Sequence, residues 1–350
     1  YKMLAIKTEL KNAETIKKYL IDKNLLQRNI KPLKDENFIY FPIKEKFSFD
    51  EKIKNKIKIN FTEKEFQENK KILDYKDLLN FSQEKKQELP SSYDIIGDII
   101  IIELNGFTKK EEQEIGKALL NVNKNIKTIL KKAGFFSGEF RTRKLTYIYG
   151  ERKKETIHKE NNIKIKLDVE KVYFSPRLST ERKRIYEQIN KSQKKEKILV
   201  MFSGSGIYPI VISKNTNAKL IYAIEKNPIA HKYAIENQNL NKTKNIIFIN
   251  GDVKKEIPKL KKIKFDRILM PLPKGAESFL NLAFSVSKKN TIIHFYDFEH
   301  ENEIKKSEEK IKKIAKNKIF YKIKDIVKCG QYSPGKYRIC ADFIITKIKK

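Results

Sequence analysis

A loop with two glycines is the feature of this sequence that most directly indicates chemistry. Residues 200–206 (V-M-F-S-G-S-G) follow one apolar segment and precede another, a pattern that predicts a strand, a tight loop and a helix. Gly204 and Gly206 let the backbone approach a ligand closely, and the free amides at the start of a helix suit a polar group. A dinucleotide fingerprint needs a third glycine where Pro209 stands, so the loop disfavours NAD. Alone, the loop is equally typical of a structural turn.

Acidic residues follow the next two predicted strands. Glu225 comes directly after the strand predicted at 219–224, and Asp252 comes shortly after the strand predicted at 245–249. In a parallel sheet the carboxyl ends of the strands lie along one edge, where a carboxylate can bind ribose hydroxyls or an adenine amino group. Each acid alone is also a common helix cap. Three such features at three successive strand ends favour S-adenosylmethionine as the cofactor.

A proline-rich turn follows the fourth predicted strand. Residues 270–275 read M-P-L-P-K-G, so two prolines hold a stiff wall where a transferable methyl group would point. An Asn or Asp at the position of Pro271 could hydrogen-bond a target nitrogen, whereas proline offers no such group. A stiff strand-to-helix connection is the alternative interpretation.

The arginines are concentrated in one part of the chain. The sequence has nine arginines against 68 lysines, and six of the nine fall between residues 141 and 184. A planar guanidinium suits phosphates and base edges, so the cluster favours nucleic-acid binding, with ion pairs to nearby glutamates as the alternative. The six are Arg141, Arg143, Arg152, Arg177, Arg182 and Arg184.

Composition narrows the class of protein. The 350 residues carry a formal net charge of +33, which favours a polyanionic partner, although a genome biased toward lysine would also produce it. Apolar residues make up 39%, enough to form cores. Two cysteines, Cys329 and Cys340, and four scattered histidines support neither a disulfide framework nor a metal site. The longest apolar run is too short to span a bilayer, so we expect a cytoplasmic protein that does not insert into membranes.

The predicted elements divide the chain into three domains. Residues 1–66 alternate short strands with one amphipathic helix and predict a small N-terminal α/β domain. Residues 67–170 predict an α+β, RNA-binding middle domain, in which a helix begins at the capping pair Thr108 and Glu111 and its apolar spacing continues to Gly134. A buried strand is predicted before this helix at 93–107 and another after it at about 138–149. Two further strands, 155–159 and 163–169, are predicted to join through a turn at Asn161 and Asn162.

The third predicted domain, residues 171–350, has an α/β pattern. Strand–helix units repeat from Lys197 onward and predict a doubly wound, Rossmann-like parallel sheet. The last two predicted strands, 319–328 and 337–347, are joined by a short turn with the sequence Y-S-P-G rather than by a helix. A parallel sheet that ends in an antiparallel hairpin is the arrangement of class I methyltransferases.

Five motifs together resemble one enzyme family. They are F-R-T-R (140–143), T-I-H-K-E-N-N (156–162), V-Y-F-S-P-R-L-x-x-E-R (172–182), M-F-S-G-S-G (201–206) and M-P-L-P-K-G (270–275). This set is similar to the archaeal and eukaryotic tRNA guanosine-37 N1-methyltransferase family over residues 134–346, and residues 1–65 fit its N-terminal domain. The resemblance implies S-adenosylmethionine as cofactor, tRNA as partner, bound at its anticodon arm and at its elbow, and a monomeric enzyme.

The resemblance also implies a role for individual residues. Glu181 would be the general base that takes the N1 proton of guanosine, and Arg141 would stabilise the negative charge that develops on O6. Both groups suit the chemistry, because N1 of guanine is a weak acid. The alternative for Glu181 is a carboxylate paired with Arg182 or Arg184. The predicted cofactor-binding residues are Tyr173, Phe202, Gly204, Gly206, Glu225, Asp252 and Pro273. The predicted RNA-binding residues are Arg143, Arg177, Arg182 and Lys274.

Two departures from the family pattern leave alternatives open. Val200 stands where family members often carry Asp, and Pro271 stands where they often carry Asn. Some archaeal members also methylate carbon 7 of the wyosine precursor 4-demethylwyosine. A related enzyme of that pathway uses the same cofactor but transfers its aminocarboxypropyl group. The third alternative is a tRNA-binding protein without catalytic activity.

Overall fold

The structure, a computed structural model, forms two compact units, Tyr1–Asp77 and Leu78–Lys350. The predicted domain boundaries at residues 66 and 170 stay predictions. The residues that the structure describes are 2–27, 30–54, 57–66, 74–272 and 274–349.

The first unit is a small sheet with one main helix. Its four antiparallel strands lie in the order β2-β3-β1-β4. Ile16 and Leu20 on α1 are fully buried and pack with Ile6 of β1 and Phe41 of β3. The elements are β1 (Lys2–Glu9), α1 (Ala13–Asp22), β2 (Leu33–Lys34), β3 (Phe38–Pro42), α2 (Glu51–Lys54) and β4 (Ile59–Glu65).

The second unit begins with a four-stranded sheet in the order β5-β6-β7-β8. Helix α4 packs closely on this sheet at Gly116. A Cβ at this position would lie only 2.6 Å from Cβ of Tyr149 on β8, so a larger residue would push the helix away. The elements are α3 (Gln83–Glu88), β5 (Asp94–Ile96), β6 (Ile99–Ile102), α4 (Lys109–Val122), β7 (Thr128–Lys132) and β8 (Leu145–Gly150).

Three predictions for this region are wrong in detail. The capping box of Thr108 and Glu111 is present, but α4 ends at Val122 rather than near Gly134. Residues 128–132 form the strand β7, because this apolar run pairs with β6 and β8 in the middle of the sheet, and burial there outweighs the helical spacing. The segment 93–107, predicted as one strand, is a hairpin that turns at Gly97. The strand predicted at 138–149 begins only at Leu145, after a loop.

A hairpin connects this sheet to the larger one that follows. Strands β9 (Glu155–Glu160) and β10 (Ile163–Asp168) join through Asn161 and Asn162, which both have positive φ, as the sequence predicts for this turn. Asn237 and Asn241 of the later helix α7 (Pro228–Asn241) each donate to and accept from the backbone of β10, at 2.6–2.9 Å.

The remaining chain forms a seven-stranded sheet in the order β13-β12-β11-β14-β15-β17-β16. Strands β11 to β15 are parallel, and β16 and β17 form the predicted antiparallel hairpin at one edge. The prediction of a class I methyltransferase fold is confirmed. Within the described part of the chain no helix is long and apolar enough to cross a membrane. The elements are α5 (Ser179–Lys191), β11 (Lys197–Met201), α6 (Ile207–Asn215), β12 (Leu220–Glu225), α7 (Pro228–Asn241), β13 (Ile246–Asn250), α8 (Val253–Lys259), β14 (Phe265–Met270), α9 (Leu280–Ser285), β15 (Ser287–His300), α10 (Lys306–Ala315), β16 (Ile319–Ser333) and β17 (Lys336–Ile348).

Candidate active site

The glycine loop lies between β11 and α6, as predicted. Phe202, Gly204 and Gly206 all have positive φ, which lets the chain reverse within a few residues. Glycine is required at Gly206 for a second reason, since a Cβ there would lie 2.9 Å from the ring of Phe248. Gly206 therefore serves close packing of α6 and lines neither of the cavities described below.

Glu225 ties the loop to the end of β12. One carboxylate oxygen accepts a hydrogen bond from the amide of Gly204 at 2.7 Å, and the other accepts one from the amide of Asn227 at 2.7 Å. Burial raises the pKa of Glu225, and these backbone hydrogen bonds oppose that rise. The acid is thus held at the strand end, next to the loop.

A cavity of about 180 Å³ opens at these strand ends. Phe279 stands edge-on to Phe202, with 5.0 Å between the ring centres, and forms an apolar wall. The sequence did not single out Phe279, because it follows the proline-rich turn and belongs to no motif. Five of the seven predicted cofactor residues line the cavity: Tyr173, Phe202, Gly204, Glu225 and Asp252. Gly206 does not, and Pro273 is outside the described residues.

The cavity has the chemistry of a nucleoside site. Asp252 caps α8 through the amide of Lys254 at 2.8 Å, and its other oxygen binds Nζ of Lys226 at 2.9 Å, so its pKa is lowered. Apolar walls and two strand-end acids fit S-adenosylmethionine.

A second cavity, of about 480 Å³, adjoins the first. Arg141 and Tyr173 line both cavities, so the two share a wall. The second cavity is also lined by Arg143, Arg177 and Arg338. This basic lining suits a nucleotide next to the cofactor.

Arg141 lies in the loop before β8, and its φ is 51°. Its amide donates a hydrogen bond to the carbonyl of Gly138 at 3.2 Å, which closes the turn. Its guanidinium carbon is 5.3 Å from the centre of the Tyr173 ring and 5.9 Å from that of Phe298. Its Nη1 atom is buried and has no hydrogen-bond partner in the part of the chain that the structure describes. The guanidinium is therefore available to a ligand.

The other predicted RNA-binding residues differ in accessibility. Arg177 is half exposed and binds Asp94 at 2.7 Å at the second cavity. Lys274 is exposed and lines neither cavity. Arg182 requires a correction: it is 2% exposed and makes a two-pronged ion pair with Glu160, at 2.6 and 2.5 Å, so it is not presented to RNA.

Glu181 is also buried, at 3% exposure, and both of its carboxylate oxygens accept hydrogen bonds. Arg184 donates to both of its oxygens at 2.7 Å, and the hydroxyl of Tyr296 donates to one of them at 2.7 Å. Arg184 also binds Asp342, whose other oxygen contacts the ring of His294 at 2.6 Å. Glu181 lines neither cavity, and its present contacts are those of the ion-pair alternative.

Family models match most of the chain. Residues 156–324 match the TRM5/TYW2 methyltransferase domain, residues 75–153 match the TYW2 N-terminal domain, and residues 5–51 match the tRNA methyltransferase 5 N-terminal domain.

Individual proteins are similar over the same regions. The chain is 38% identical over 346 residues to tRNA (guanine(37)-N(1))-methyltransferase Trm5b of Pyrococcus abyssi, covering 98% of this chain and 99% of the relative. The crystal structure of that protein superimposes with a TM-score of 0.72 at 36% identity, again over 98% and 99%. The structure of aTrm5 in complex with tRNALeu gives a TM-score of 0.69 at 30% identity, over 98% and 100%.

A functionally different relative is more distant. The tRNA(Phe) (4-demethylwyosine(37)-C(7)) aminocarboxypropyltransferase of Methanocaldococcus jannaschii is 35% identical over 257 residues, which are 71% of this chain and 96% of the relative. The near full-length match to a Trm5b protein, together with the fold and the nucleoside-type cavity, shows that this chain belongs to the TRM5/TYW2 family of methyltransferases.

Proposed function

We propose that this protein transfers the methyl group of S-adenosylmethionine to N1 of guanosine 37 in tRNA. The observation that carries the proposal is the wall that Arg141 and Tyr173 form between a nucleoside-type cavity and a basic one. Such an arrangement suits a cofactor on one side and a target base on the other. The named activity of the Pyrococcus relative, at 38% identity over nearly the whole chain, supports the same reaction.

The first cavity would hold S-adenosylmethionine, which supplies an electrophilic methyl group on a positively charged sulfur. The apolar faces of Phe202 and Phe279 would enclose the adenosine part and exclude water. Glu225 would face the ribose hydroxyls with the oxygen lone pairs that its two amide contacts leave free.

Arg141 would act on the target base. As N1 loses its proton, negative charge moves onto O6, and a guanidinium with an uncommitted, desolvated N–H stabilises that charge strongly. Its position over Tyr173 restrains the guanidinium at the boundary between the two cavities.

Glu181 would accept the N1 proton. In the present structure its oxygens bind Arg184 and Tyr296, so the role requires the carboxylate to exchange these contacts for the guanine N–H.

The basic lining of the second cavity supports tRNA as the partner, and the relative solved with tRNALeu supports it independently. We extend the proposal to contact of the anticodon arm with the Leu78–Lys350 unit and of the elbow with the Tyr1–Asp77 unit. A monomeric enzyme located in the cytoplasm is part of the same proposal.

Mass analysis of the modified nucleoside tests the proposed reaction. The protein is incubated with S-adenosylmethionine and a tRNA transcript carrying guanosine at position 37, and with a matched transcript carrying adenosine there. We expect 1-methylguanosine in the first transcript and no product in the second.

The same experiment distinguishes the alternatives. An aminocarboxypropyl group on tRNA that carries 4-demethylwyosine would identify aminocarboxypropyl transfer, rather than methyl transfer, as the reaction. A methyl group on that base would show that the protein also methylates carbon 7. Binding of tRNA with no product from either substrate would overturn the enzymatic proposal.

A further inference from the structure

Arg338, on β17, is a buried cation that no motif predicted. It is 9% exposed, and it lines the second cavity. Its Nη2 atom donates to the hydroxyl of Tyr173 at 2.7 Å, while its Nε atom is buried with no hydrogen-bond partner among the residues described. Its guanidinium carbon lies 5.3 Å from the centre of the Phe298 ring.

The carboxylates on the neighbouring strand do not neutralise this charge. Arg338 pairs in register with Phe298 of β15, whose neighbours in sequence include Asp297 and Glu299. Lys310 binds both acids, at 2.6 and 2.7 Å. Among the described residues Arg338 has no salt bridge to any carboxylate.

Arg141 approaches the same aromatic ring. Its guanidinium carbon is 5.9 Å from the centre of Phe298, and it too has a buried N–H without a partner. The faces of aromatic rings attract cations but offset only part of the cost of removing a charge from water. Two guanidiniums beside one ring and one cavity therefore form a site that is complete only when an anion is present.

We propose that Arg338 binds a phosphate of the RNA strand that enters the second cavity, beside Arg141, whose free N–H is left to the target base. The inference rests on the proposed function, since it takes RNA to be the substrate. A neutral guanine edge supplies no formal charge before the reaction, whereas a phosphate supplies a full charge and oxygens for the free N–H groups. The other source of an anion is the carboxylate of the cofactor, but Arg338 does not line the cofactor cavity.

Salt-dependent tRNA binding tests the proposal. Binding of a guanosine-37 tRNA transcript is measured between about 50 and 200 mM salt for the wild-type protein, Arg338→Met, Arg338→Lys and Arg152→Met. Arg152 is an exposed arginine that lines neither cavity and serves as the matched control. Thermal unfolding of each variant checks that it is folded.

Loss of one phosphate contact has a defined signature. We expect Arg338→Met to weaken tRNA binding about 10-fold and to reduce the slope of log K against log salt by about 1. Arg338→Lys should keep the slope, and Arg152→Met should keep both quantities. An unchanged slope in Arg338→Met, or an equal reduction in Arg152→Met, would overturn the proposal.

Two further measurements separate the sources of the anion. A transcript with a neutral methylphosphonate beside position 37 should bind the wild-type protein more weakly than the unmodified transcript does. Arg338→Met should bind the two transcripts equally well. Affinity for S-adenosylmethionine should be equal in both proteins, and its loss in Arg338→Met would overturn the proposal in favour of the cofactor carboxylate. These are binding measurements, so a protein that binds tRNA in this way but does not methylate it would contradict only the proposed function.

Discussion

The arginines around helix α5 and those around the second cavity have opposite surroundings. Arg182 and Arg184, here the paired arginines, each bind at least one buried carboxylate at 2.5–2.7 Å. Arg141 and Arg338, here the unpaired arginines, have no carboxylate partner among the described residues and face aromatic rings instead.

The difference separates charges that are already paired within the fold from charges that remain available to a ligand. A buried guanidinium that already has its carboxylate has few N–H groups left to offer a substrate. A buried guanidinium without one retains both its charge and its donors for an incoming anion. A cluster of arginines in the sequence therefore does not by itself define a nucleic-acid surface, because the nearby carboxylates decide which members are available.

Glu181 is the severest test of this comparison, because its contacts are those of a structural carboxylate while the family resemblance makes it the base. We predict that Glu181→Gln lowers kcat for methylation by about 10²- to 10⁴-fold, the usual contribution of a general base. Affinity for tRNA and for S-adenosylmethionine should change little, as measured by equilibrium binding.

The matched control for Glu181→Gln is Glu160→Gln, which also breaks a buried pair with an arginine of α5. This variant should lose stability but keep its kcat in the folded fraction. Equal kcat in Glu181→Gln and the wild-type protein would show that Glu181 only holds Arg184 and would remove it from the mechanism.

Arg182→Met tests whether the paired arginines stabilise the fold more than the unpaired arginines do. Glu160 would remain buried without its guanidinium, so we expect the free energy of unfolding to fall by about 3–5 kcal/mol. Arg338→Met removes a charge that has no carboxylate partner, so its unfolding free energy should change by less than about 1 kcal/mol. Urea denaturation of both variants provides the measurement, and equal losses would refute the distinction between paired and unpaired arginines.

Local patterns in the sequence correctly predicted the parts of the fold that depend on neighbouring residues. The glycine loop, the strand-end acid Glu225 and the Asn161–Asn162 turn follow from backbone freedom and strand spacing within a few residues. The pairing of the arginines could not be predicted in this way. Arg184 meets Asp342 from 158 positions away, and Arg338 meets Tyr173 from 165 positions away. Only the completed sheet brings these groups together.

The same limit explains the wrong end of α4. Ile129 and Leu130 continue the helical spacing of the preceding residues, but they are buried because β7 pairs with β6, a partner that lies before the helix in the chain. Spacing shows that residues are buried without showing which element buries them. Assignment of Glu181 as base and of the cofactor residues stays a prediction from the resemblance.

The stability of the protein at acid pH tests the contribution of Glu160, the carboxylate partner of Arg182. Burial alone would raise the pKa of Glu160, but hydrogen bonds from His158 and Arg182 outweigh it and lower that pKa from 4.5 to about 2. Since the pKa is lower in the folded than in the unfolded chain, the resulting stabilisation is present above about pH 4.5 and is lost as the pH falls toward 2. This shift corresponds to about 3 kcal/mol.

The difference between two proteins isolates that contribution. The unfolding free energy of the wild-type protein should fall by about 3 kcal/mol more between pH 5 and pH 2 than that of the double variant Glu160→Gln/Arg182→Met. Parallel curves for the two proteins would show that the ion pair does not set this pH dependence.

Tyr173→Phe has a small expected effect and tests how an unpaired arginine is kept in place. The change removes the hydroxyl that accepts from Arg338 but keeps the ring that lies under Arg141 and lines both cavities. We expect the unfolding free energy to fall by about 0.5–1.5 kcal/mol and tRNA binding to weaken by a factor smaller than that of Arg338→Met. If the hydroxyl acts through Arg338, the double variant Tyr173→Phe/Arg338→Met should bind tRNA as the single variant Arg338→Met does. An additive loss in the double variant would mean that Tyr173 contacts the RNA by itself, and Arg338 would then be held by its burial against Phe298 rather than by this hydrogen bond.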